Sequence, residues 1–144
     1  MTTRSTDDDV IEAEVTAAFK GLVDASLALD PDRYFAYVDR EKFTGLSAHG
    51  KTWHCATALE KLIYSGFPMI EKILSLEFAN VKVTVINPST AILVNEYQQS
   101  ILLKDQSIVK QAGGGTQVWS RSGSRWKLVS ISASDAVERG DAVF

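Results

Sequence analysis

Cysteine is almost missing from this chain: Cys55 is the only one among 144 residues, so no internal disulfide can form. The fold therefore does not depend on an oxidising compartment, and the cytoplasm is the expected location. Long hydrophobic runs are also missing, with nothing near the roughly 20 apolar residues that a membrane-spanning helix requires. The opening stretch Met1 to Asp9 is polar and acidic and does not resemble a signal or transit peptide. Positive charge is in deficit as well. Fifteen Lys and Arg stand against eighteen Asp and Glu, for a net charge of −3, and the basic residues are scattered. That pattern gives no electrostatic reason to expect nucleic acid or an anionic membrane as a partner.

What is present is ordinary for one globular domain. The apolar fraction is 45% and the charged fraction 23%, and the length suffices for a closed core. Residues 1–7 are expected to be a disordered tail, 8–136 a single domain, and 137–144 a second tail. Thr6 with Asp7, Asp8 and Asp9 carries a helix-start signature. Ile11, Val15, Ala18, Phe19, Leu22, Ser26 and Leu29 recur at three and four, the stripe of a long amphipathic helix. Asp30-Pro31 ends it and opens a short second helix with Tyr34, Phe35 and Val38 as its apolar contacts. Between Glu41 and His54 the helical period is lost, and two short strands joined at Ala48-His49-Gly50 are expected. A third helix carries Ala56, Leu59, Leu62 and Ile63 and ends at Gly66, with Pro68 beyond.

The remainder reads as sheet. Four strands, Leu76–Ile86, Ala91–Leu103, Ile108–Arg121 and Arg125–Ser134, are separated only by short turns, which predicts an antiparallel meander. Ala91 to Val94, Leu128 and Val129 are apolar on both strand faces. Helices can cover only one of those faces, so a second copy of the chain is expected on the outer one, giving a homodimer. Gly113-Gly114-Gly115 within a strand predicts a bulge or sharp bend.

Several segments then carry a resemblance. Gly115-Thr116-Gln117-Val118-Trp119-Ser120-Arg121, followed by Gly123, Trp126, Val129 and Ser134, is similar to the closing hairpin of the association domain of calcium/calmodulin-dependent protein kinase II and its small bacterial relatives. Asn87-Pro88 before the Ala91–Tyr97 strand fits the same group, as do the helix ending Ala28-Leu29-Asp30 and a second helix reaching Asp39. From about Asp8 to Ala136 the chain resembles the nuclear transport factor 2-like (SnoaL-like, cystatin-like) superfamily. The resemblance implies an α+β fold: three helices packed in a cone against a strongly curved, mixed but mainly antiparallel sheet, with a pocket at the open end. The superfamily includes isomerases, cyclases, dehydratases, epoxide hydrolases and assembly domains, so function must come from the site.

Laid on the pattern of ketosteroid-isomerase-like enzymes, the catalytic Tyr, base and second acid fall on Leu22, Leu46 and Gln117, which cannot perform that chemistry. In the kinase association domains an arginine commonly stands where this chain has Gln117. Trp53, His54, Tyr97, Gln117 and Trp119 are the expected pocket lining, with His54 as the one candidate general base. The alternatives are a histidine that merely pins a loop and a Trp119 that is simply core. His49, His54 and Cys55 lack metal-ligand spacing, so no metal is expected, and Cys55 reads as a small buried residue at a helix start. Asp39, Glu41, Glu96 and Asp135 are carboxylates that the spacing does not pair. No cofactor motif is present, since Gly113–Gly115 lacks the Lys-Ser/Thr and the helix of a phosphate loop. The expected function is binding of a small molecule by a homodimer. The alternatives are a cyclase, isomerase or hydratase working by acid–base catalysis, and a pure dimerisation module.

Overall fold

The computed structural model describes residues 6–136. The tails expected at residues 1–7 and 137–144 lie, apart from residues 6 and 7, outside the described residues, and so does any capping by the Thr6 side chain. Helix α1 spans Thr6–Leu27, α2 Pro31–Phe35 and α3 Ala56–Gly66, with strands β1 (Thr44–Leu46) and β2 (Thr52–Trp53) between the last two. A single 3₁₀ turn, Phe67–Met69, leads into β3 (Ile70–Asn87), β4 (Thr90–Leu103), β5 (Ile108–Ser122) and β6 (Arg125–Asp135).

The helices form where the apolar period requires them. Ile11, Val15, Phe19, Leu22 and Ala25 of α1 are all buried, one stripe laid across the sheet. Asp30 caps α2 by accepting the Arg33 N–H at 3.2 Å, and Pro31 follows at the first helical position. The chain after α2 is stitched to β6: the Asp39 N–H donates to the Leu128 carbonyl and the Leu128 N–H to Tyr37.

The six strands make one sheet in the order β2-β1-β6-β5-β4-β3. Only β1 with β6 is parallel; the four long strands form the expected antiparallel meander. Its inner face, Val83, Ala91, Leu93, Trp119, Trp126 and Leu128, packs on the helices and closes the core.

Three observations revise the sequence reading. Strand β3 starts at Ile70, six residues earlier than expected, because register shifts between Ile70 and Lys72 and between Ile73 and Ser75 break its alternation. The bulges fall elsewhere than the glycine run. One lies between Ala79 and Lys82, where Asn80 has φ 53°, and another at Val129, which the β5–β6 register skips. Gly113–Gly115 keep continuous pairing with both neighbouring strands. Their role is close approach: a Cβ on Gly113 would lie 1.8 Å from the Ser134 carbonyl oxygen.

Candidate functional site

Strand parity decides what the concave face presents. On β4 the inward residues past the core are Asn95, Tyr97 and Gln99, and on β5 they are Gln117, Gly115 and Gln111, so polar side chains follow Leu93 and Trp119 toward the open end. Between them and the helices lies a cavity in two parts. A recess of about 230 Å³ is walled by Phe19, Leu22, Phe78 and Ile131. A wider mouth of about 910 Å³ opens between α3 and the far halves of β3 to β5. The two share Ser26, Tyr34, Leu76, Tyr97, Gln99 and Ala133 and are therefore continuous.

Three polar side chains in the recess wall are more than nine-tenths buried. Gln117 is 4% exposed, and its Oε1 accepts the Trp119 Nε1–H at 2.9 Å. An indole N–H can only donate, so this bond fixes which end of the amide is which and turns the Gln117 NH₂ away from Trp119. Asn95 is 8% exposed and faces Gly115 across the strands, where the missing side chain leaves room beside its amide. Tyr34 is 7% exposed, and burial pushes its phenol up to about 12. Among the described residues neither the Asn95 amide nor the Tyr34 hydroxyl has a hydrogen-bond partner. No fully enclosed side-chain N or O among the described residues lacks one, so these free ends open onto cavity space.

Nearer the mouth, the Tyr97 hydroxyl donates to Asp135 Oδ1 at 3.1 Å. Desolvation first, and then the bond to that carboxylate, push Tyr97 up to about 12. The other carboxylate oxygen lies 3.6 Å from Nδ1 of the exposed His49.

The expected lining residues thus separate. Tyr97 and Gln117 meet on the cavity wall, and Trp53 stands at the mouth with its ring centroid 6.3 Å from that of Phe43. Trp119 is wholly buried beneath Gln117, where it acts on the site only through its indole N–H. His54 follows Trp53 and points the opposite way. It is exposed, lies outside the cavity, and has Nε2 3.4 Å from the Thr52 hydroxyl. Cys55 is exposed rather than buried: it is the N-cap residue of α3, and hydrogen bonds from Thr57 hold its thiol below the usual range. Tyr34, Asn95 and the Tyr97–Asp135 bond were missed. Asn95 had a signal, an amide at inward parity between Leu93 and Tyr97. Tyr34 had none beyond its place on α2. Among the described residues, no group of three His, Cys, Asp or Glu could hold a metal ion, and no helix is long and apolar enough to cross a membrane.

No family profile matches the sequence, and no curated protein does. Solved structures do match. A nuclear transport factor 2-like superfamily protein from Salmonella enterica serovar Typhimurium is 14% identical with a TM-score of 0.80, covering 94% of this chain and 98% of that one. The association domain of the C. elegans calcium/calmodulin-dependent protein kinase II is 16% identical with a TM-score of 0.71, covering 90% and 99%. A provisionally assigned scytalone dehydratase from Novosphingobium aromaticivorans is 12% identical with a TM-score of 0.81, covering 97% and 94%. The chain has the nuclear transport factor 2-like fold that its closing hairpin and helix order resemble. Identities this low carry the fold and nothing of the chemistry.

Proposed function

We propose that this chain binds a small, largely apolar molecule inside its cone and does so as a homodimer. One observation carries the binding reading: a continuous cavity with apolar walls ends at three buried polar side chains, and the protein itself leaves two of them unpartnered. Leaving such groups dry would cost about 1–3 kcal/mol each, so water or a ligand must meet them. Apolar walls with a few convergent polar groups are the usual composition of a small-molecule site. The dimer is supported by the outer face of β4 and its neighbours, where Ile86 and Val94 are 54% and 39% exposed beside the partly buried Ile92, Val118 and Val129. The kinase association domain among its structural relatives is consistent with such a use of the fold.

A second reading is acid–base catalysis at the mouth, favoured by the Tyr97–Asp135–His49 chain and by relatives described as dehydratases. His54, which faces solvent, does not enter either reading.

Blocking the cavity tests the binding reading. Ala133 sits where recess and mouth join, so Ala133→Phe is expected to abolish the thermal stabilisation produced by any small-molecule ligand. That stabilisation should be about 2.7 kcal/mol at a hundredfold excess over Kd. A ligand that stabilises the Phe variant equally would show that it binds elsewhere, and the reading would be lost.

A further inference from the structure

Resting on the binding reading above, the geometry points to the class of ligand: we infer that the recess takes a neutral molecule through a carbonyl-type oxygen. That oxygen is held by the Gln117 amide N–H and the Tyr34 hydroxyl. Trp119 is fully buried, and the only polar atom of its side chain is a donor. By donating to Gln117 Oε1 at 2.9 Å, it takes one lone pair of that oxygen and leaves the two N–H of the amide as donors facing the recess without a protein partner. Tyr34 adds a second donor, and its elevated pKa keeps it protonated throughout the neutral range. Asn95 lies diagonally across from Gln117, since Leu93 pairs with Gln117 and Asn95 with Gly115. Such diagonal neighbours are roughly 7–8 Å apart, close enough for both amides to reach one ligand head group. Ser26 and Tyr97, which also line the recess, have already donated their protons, whereas among the described residues the Gln117 and Asn95 N–H groups and the Tyr34 hydroxyl have no acceptor, so a ligand atom that accepts meets the donors left unsatisfied.

Charge sets the other limit. The recess wall contains no Lys, Arg, His, Asp or Glu; Lys51, Lys61 and His49 line only the mouth. A carboxylate or ammonium drawn into the recess would lose its hydration with no opposite charge to replace it, whereas a ketone, ester or amide oxygen needs only the donors present. The recess, at about 230 Å³, is larger than the roughly 150 Å³ cavity that admits benzene. A fused two-ring body therefore fits.

Three probes of one shape separate the possibilities: indan-1-one, the hydrocarbon indane, and indane-1-carboxylate, each titrated into the full chain and followed by amide nuclear magnetic resonance. Indan-1-one is expected to bind about tenfold more tightly than indane, as one or two neutral hydrogen bonds allow, and to shift the Gln117 and Asn95 side-chain amide signals. Tyr34→Phe removes only a hydroxyl without a protein partner, so it should fold normally. It should cut the ketone preference about threefold or more while leaving indane affinity unchanged. Gln117→Leu removes the NH₂ donor and should reduce the preference as well, with Tyr34→Phe carrying the test if loss of the Trp119 acceptor unfolds that variant. Equal affinity for ketone and hydrocarbon, or tighter binding of the carboxylate, would overturn the ligand class while leaving a small-molecule pocket in place. Failure of all three probes to bind saturably would overturn both readings.

Discussion

Replacing Gly113 with alanine tests how the sheet closes behind the cavity. The new Cβ would lie 1.8 Å from the Ser134 carbonyl oxygen and 2.8 Å from its carbon, both backbone atoms. Carbon and oxygen rest no closer than about 3.3 Å in the tightest favourable contacts, so the strands must part by about 1.5 Å. Neither can retreat freely, because Gly113 pairs with Tyr97 on one side and Asp135 on the other. Overpacking of a rigid site costs typically 1–3 kcal/mol, and a backbone clash on this scale belongs at or above the upper end, about 3 kcal/mol. The neighbouring glycines serve as internal controls. A Cβ on Gly114 would meet the Asn95 carbonyl at 3.3 Å and one on Gly115 the Ser132 carbonyl at 3.4 Å, which a few tenths of an ångström relieve. Alanine there should cost about 1 kcal/mol, the lower end of the same range. Urea denaturation of the three variants, at matched m-values, reads the order directly. A Gly113→Ala variant within about 0.5 kcal/mol of the parent, the range of an innocuous surface change, or a Gly115→Ala variant that is the worst of the three, would refute a close approach at residue 113.

Alkaline stability should fall between pH 10 and 12. Burial raises Tyr34 from 10.0 to about 12, so the folded state holds its proton after the unfolded chain has released it. That contribution is intact below pH 10 and disappears as pH rises through 12. A shift of that size corresponds to about 3 kcal/mol at most. Tyr97, also raised to about 12, adds to the same loss, so Tyr34→Phe should reduce the slope of a urea-midpoint profile here without abolishing it, and an unchanged slope would contradict the assignment. Gln117→Leu leaves the Trp119 indole N–H buried without an acceptor and should cost about 1–3 kcal/mol by thermal or urea unfolding. Val94→Asp on the outer face should shift the protein from dimer to monomer in sedimentation velocity without changing its circular dichroism; an unchanged dimer would rule out that face. His54→Ala should alter neither ligand affinity nor thermal stability, as expected of an exposed ring with Nε2 3.4 Å from the Thr52 hydroxyl.

Much of this architecture was legible because alternation and turn chemistry are local. Asp30-Pro31 marked the helix junction, and the three hairpins were bracketed to within a residue or two. The start of β3 was hidden because its bulges scramble the period-two pattern, leaving Glu71, Lys72, Leu74 and Ser75 all exposed. The glycine run showed that something unusual happens at residue 113 but not which kind. A missing side chain permits a bulge, a bend or a close approach alike, and only the Ser134 carbonyl tells them apart.

Parity placed Gln117 and Trp119 on one face, yet depth along a strand has no sequence signature. Two residues separate a wholly buried indole from an amide at the cavity wall, and both obey the same alternation. Depth is set by how far α1 and α2 extend over the sheet, which depends on packing rather than on any window of residues. That same geometry makes the pair inseparable. Trp119 could not be buried without an acceptor for its N–H, and the residue supplying one has its amide turned so that the NH₂ end is left toward the ligand. A donor-rich recess follows from burying a tryptophan two positions below an amide. Exchanging Trp119 for phenylalanine should therefore change ligand preference without touching the cavity wall: with no indole to hold it, the Gln117 amide can turn over and present its oxygen. The preference for indan-1-one over indane should shrink, while a hydroxyl donor such as indan-1-ol gains relative to the ketone. If both ratios stay fixed in Trp119→Phe, the amide is oriented by something other than the indole.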